Sequence, residues 1–93
     1  MTNLNRWVQS RFEQMLCELP QGQHLDFLSQ YIDTEVNHVM YTPLRKFVNQ
    51  VLSEYVECDE FKKILINTLD WTALEKCIMY CYQIALEDLS GLR

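Results

Sequence analysis

The sequence predicts an all-α fold, a compact bundle of about five helices forming a single domain over residues 1–93. Three observations predict it. Apolar residues recur at steps of three and four along most of the chain, the period of an amphipathic helix. Only two glycines and two prolines interrupt it, so the elements must be few and long. Hydrophobic residues make up 48% and charged residues 23%, a globular balance that argues against disorder. At 93 residues the core will be thin, because a chain of this size buries only about 60–65% of its unfolded surface.

The first helix is carried by Leu4, Trp7, Val8, Phe12, Met15, Leu16 and Leu19, and the run "PQGQ" stops it. Leu25, Leu28, Ile32, Val36 and Val39 keep the same spacing and predict a second helix over residues 23–40. Its later half is weakened by β-branched residues and Asn37, with a fray or bend near Asp33. "YTP" then marks a break. Proline suits the first position of a helix and Thr42 can cap it, so a third helix is expected to open at Pro43. Leu44, Phe47, Val48, Val51, Leu52, Tyr55 and Val56 give it the cleanest stripe in the protein. A shorter helix beginning at Cys58 or Asp59 carries Phe61, Ile64, Leu65 and Leu69. Asp70 caps the last helix, "WTALEKCIMYCYQIALEDL", and Gly91 ends it.

Several function classes are disfavoured. The formal net charge is −5 and the eight lysines and arginines are scattered along the sequence, so nucleic acid is not an expected partner. The acidic run "EYVECDE" reads as a solvated rim, with a site for a basic partner as its functional alternative. No apolar run approaches the roughly 20 residues that span a bilayer, and "MTNLNRWVQSRFEQ" has no signal-peptide core, so membrane insertion is not expected and a cytoplasmic setting is. Cys17, Cys58, Cys77 and Cys81 lie within apolar helical stripes, which predicts reduced core thiols without disulfides. Cys77 and Cys81 share a helix face, but no second ligand pair accompanies them, and neither a metal nor a cofactor is expected. His24 and His38 have no nucleophile turn beside them and no glycine-rich phosphate loop exists, so binding is expected rather than catalysis.

The last helix carries the one signal beyond packing. Leu74, Cys77, Ile78, Cys81, Ile84 and Ala85 would suffice as its core face, while Trp71, Met79, Tyr82 and Leu86 widen the apolar sector to roughly 200°. Such a helix is either central and wrapped by its neighbours, or one wall of a groove for an amphipathic partner helix. In the groove reading Val48, Leu52 and Tyr55 of the third helix line the site beside Trp71, Met79, Tyr82 and Leu86.

The stretch "DTEVNHVMYTPLRKFVNQVLSEYVE" resembles a segment of BART-like domains, in which an acidic turn with Asn leads to Tyr-Thr and a long amphipathic helix. Asp33, Thr34, Glu35, Asn37, Tyr41, Thr42 and Pro43 carry the match. "FKKILINTLDWTALEKCI" is similar to the last helices of that family through Asp70, Trp71, Leu74, Glu75 and Lys76. The resemblance implies a helical adaptor that holds the amino-terminal amphipathic helix of an Arf-like small GTPase, or a similar helical peptide, in an apolar groove. It also implies the cilium or centrosome as places to look. The rival expectation is a structural subunit whose excess apolar surface is buried permanently in a homo- or hetero-oligomer.

Overall fold

The computed structural model of the chain describes residues 3–89 and Gly91. Helix α1 (Asn3–Cys17) forms where expected and turns Val8, Phe12 and Leu16 inward. It ends before Pro20, whose extended backbone leads into a 3-10 turn over Gln21–Gln23. Helix α2 follows as a short element, His24–Ser29, burying Leu28.

The predicted second helix therefore stops eleven residues early. Residues 32–39 form instead a small antiparallel hairpin of β1 (Ile32–Asp33) and β2 (His38–Val39), with Ile32 opposite Val39 and Asp33 opposite His38. Local chemistry explains the correction. The Asp33 carboxylate accepts the Glu35 N–H at 3.1 Å, closing an Asx turn, and Asn37 adopts a φ of 54°, the left-handed region that asparagine tolerates. Ile32 and Val39 point into the core, and Val36, counted with the helical stripe, lies exposed at the hairpin tip. A 2.7 Å bond from Met40 N–H to Tyr31 carbonyl extends the pairing.

Helix α3 (Tyr41–Ser53) starts two residues before Pro43, which corrects the expected cap. Met40, with extended backbone, holds the N-cap position, and no side chain caps this end. Pro43 is tolerated because the first-turn N–H groups have no intrahelical acceptor. Leu44, Phe47, Val48, Val51 and Leu52 are buried, the stripe the sequence announced. Helix α4 (Asp59–Thr68) places Asp59 and Glu60 at its positive N-terminal end. Helix α5 (Trp71–Leu89) is capped as expected: the Asp70 carboxylate accepts the Ala73 N–H at 3.1 Å. Gly91, at φ 74°, follows its end.

The core is centred on Phe12. Its ring meets Phe27, Tyr31 and Phe47 at centroid distances of 5.6, 5.3 and 5.4 Å, joining α1, α2 and α3 in one aromatic cluster. Helix α5 packs against α2, α1 and β2, whereas α4 packs chiefly on α3. A polar clasp closes the bundle. The buried Asn5 side chain donates to the Asp70 carbonyl at 2.9 Å and accepts the Asp70 N–H at 2.8 Å, pinning α1 to the α4–α5 junction. Arg11 Nη2 adds a bidentate contact of 2.8 Å to both carboxylate oxygens of Glu54.

Candidate functional site

The seven residues assigned to a partner groove do not share one open surface. Val48, Leu52 and Tyr82 are core residues, exposed by 0%, 1% and 8%, so no partner reaches them while the bundle is closed. Trp71, Met79 and Leu86 are half-buried and packed against the core. Tyr55 is exposed and sets its ring edge against Trp7 at 4.7 Å. Trp71 braces the fold: its indole N–H donates to the Ile66 carbonyl at 3.2 Å, and its ring lies 5.2 Å from that of Tyr41.

The buried face of α5 comprises Leu74, Ile78, Tyr82 and Ala85. That face is turned by about 50° from the one expected, leaving Cys77, Cys81 and Ile84 half-buried. Most of the wide apolar sector is covered from within by α1, α2 and the hairpin together, Leu89 near the helix end remaining exposed.

The cysteines are free thiols, and none is the core residue that the sequence suggests. Cys17 and Cys58 are exposed, and Cys77 and Cys81 are half-buried. The Cys77 pKa is pushed up by its hydrogen bond to Cys81, by burial and by the Glu13 carboxylate, which accepts its S–H at 3.6 Å. That same bond lowers Cys81. Among the described residues no group of three or more His, Cys, Asp or Glu is placed to hold a metal ion. A surface hollow of about 450 Å³ brings Cys17, His24, Cys81 and Asp88 to one lining. Their polar atoms serve the fold: His24 Nε2 meets the Leu19 carbonyl at 3.0 Å, and Asp88 accepts from Gln21 at 2.9 Å.

Exposed apolar side chains occur singly elsewhere, Tyr80 and Leu89 of α5 among them, but on α4 they follow one another along a single stripe. Phe61, Ile64, Leu65 and Thr68 follow i, i+3, i+4 and i+7 and share one side of that helix. Phe61 is 48% and Ile64 57% exposed, large values for side chains that belong to an apolar stripe. With Ile66 they span about 200° of the helix surface, and of these five only Ile66 is buried. Exposed Tyr55, Glu57 and Glu60 lead into this flank from the α3–α4 connection. The stripe is visible in the sequence. Its exposure is not, because it depends on α4 having one principal neighbour.

No helix among the described residues is long and apolar enough to cross a membrane. Comparison of the chain with protein-family models, curated proteins and solved structures finds no match.

Proposed function

We propose that this chain is a non-enzymatic protein-interaction module that docks an amphipathic helix of a partner on the outer flank of α4. The observation that carries the reading is the exposure of Phe61 and Ile64 on a helix whose apolar sector is only half covered. A helix laid along Phe61, Ile64 and Leu65 would cover that sector in the way a neighbouring helix of the bundle does, with i, i+3 and i+4 anchors. Glu57 and Glu60 lie exposed on the approach to Phe61, so the favoured partner carries lysine or arginine along the edge of its apolar stripe. The resemblance to BART-like domains makes the amino-terminal amphipathic helix of an Arf-like small GTPase the first partner to try. The flank on α4, rather than a groove beside α5, is the docking surface in this reading.

The test is fluorescence anisotropy with a labelled peptide of that amphipathic helix, alongside sedimentation of the protein alone. A monomer that binds the peptide saturably, and loses it on Phe61→Glu with an unchanged melting temperature, supports the reading. A dimer that Phe61→Glu dissociates would assign the same flank to permanent self-association instead. A monomer that binds no amphipathic peptide would refute it.

A further inference from the structure

The cations that look scattered in the sequence converge in the fold. Between α3 and α4 lies a cleft of about 620 Å³ lined by Thr42, Arg45, Lys46 and Asn49 from one helix and Asp59, Lys62, Lys63 and Ile66 from the other, with Tyr41 also on its wall. Each set reads i, i+3, i+4, i+7, so two helix faces look at each other across it. The connection after Ser53 sends α4 back along α3. Lys62 Nζ donates to Ser53 Oγ at 3.0 Å near that turn, and Tyr41 meets Trp71 beside Ile66 at the far end. Four of the chain's eight lysines and arginines thus face one cleft containing a single carboxylate, in a protein of net charge −5.

We propose that this cleft binds a compact ligand carrying two or more phosphate groups. The local charge is opposite to that of the whole molecule, and it is not neutralised from within. Lys62 pairs with Asp59 at 3.1 Å and Arg45 leans over the Tyr41 ring, but among the described residues Lys46 and Lys63 have no ion-pair or hydrogen-bond partner. A phosphate monoester brings about −1.5 to −2 charges and three acceptor oxygens, so two of them balance the surplus within the available space. A carboxylate brings one charge, and three or four acidic side chains would have to crowd the same cleft. A long nucleic-acid strand is disfavoured because it would leave the cleft for an acidic surface. The size of the cleft falls within the range of small-molecule sites. By helical register Lys63 and Phe61 stand on opposite sides of α4, so this site is separate from the flank proposed for the partner helix.

Soluble inositol hexakisphosphate and phosphatidylcholine vesicles doped with phosphatidylinositol bisphosphate are the two probes, used at fixed ionic strength with calorimetry and flotation as readouts. Saturable one-to-one binding of the first, or vesicle capture by the second, is expected, and the two arms tell a free phosphate from a lipid headgroup. The double variant Lys46→Gln, Lys63→Gln, exposed at both sites, is expected to weaken binding by about tenfold or more without shifting the melting temperature. Phe61→Glu is expected to leave it unchanged. The proposal is overturned if neither probe binds, if the double variant binds as tightly as the parent, or if orthophosphate at equal ionic strength displaces the probe completely.

Discussion

Helices α4 and α5 both carry an apolar sector of about 200°, yet they meet opposite ends in the fold. The sector on α5 is closed over by α1, α2 and β2 along most of its length, with Leu89 left exposed at the end, while that on α4 meets mainly α3, so Phe61 and Ile64 face outward. The width of an apolar stripe therefore measures how much cover a helix needs and says nothing of whether the chain supplies it. In α5 the excess is structural. In α4 it is available to another molecule.

The largest expected effects separate the two helices directly. Leu74→Ala or Ile78→Ala should cost about 2–5 kcal/mol, because each empties a packed site, while Phe61→Ala or Ile64→Ala should change stability by about 0.5 kcal/mol or less. Chemical denaturation of the four variants checks this, and equal losses in both helices would erase the distinction. Tyr82→Glu should unfold the protein as a buried charge does, since Tyr82 lies in the core.

Asn5→Ala comes next, at about 1–3 kcal/mol, because it strips partners from the N–H and carbonyl of Asp70 at the start of α5. Asp70→Ala should cost about 0.5–2 kcal/mol through the lost cap, whereas Thr42→Ala at the start of α3 should cost little, since no side chain caps that end. Melting curves of the three variants would expose any reversal of that order.

The smallest effect is one of pH. Burial raises the pKa of Tyr31 above that of a free phenol, so the folded chain keeps the phenol protonated where the unfolded chain has begun to ionise. Between the unfolded and folded pKa values the unfolded state binds fewer protons, and stability falls as pH rises above about 10. Denaturation midpoints measured upward from pH 9 should drop less steeply in Tyr31→Phe, and identical slopes would remove Tyr31 as the cause.

Much of the architecture was legible in the chain, for physical reasons that also explain the failures. Helices α1, α3, α4 and α5 follow uninterrupted 3.6-residue stripes, and Asp70 declares its cap by standing immediately before one. Residues 32–39 misled because Ile32, Val36 and Val39 fit helical spacing as well as they fit a short hairpin. There an Asx turn and one left-handed asparagine outweighed weak helix propensity. On α5 the spacing alone does not distinguish the small thiols from Tyr82 as interior residues, and the larger ring, which buries more apolar surface, takes the inward place. Buried Asn5 and the cationic cleft had no local signature. Asn5 acts on a residue 65 positions away, and Arg45–Lys46 meets Lys62–Lys63 only once α4 folds back along α3.

The central claim, that α4 and not α5 offers its apolar side to a partner, is tested most directly by amide NMR during titration with a lysine-edged amphipathic helical peptide. The account predicts that shifts concentrate at Tyr55, Phe61, Ile64 and Leu65, while Met79 and Leu86 on α5 stay in place. Shifts concentrated on Trp71, Met79 and Leu86 with α4 undisturbed would contradict it.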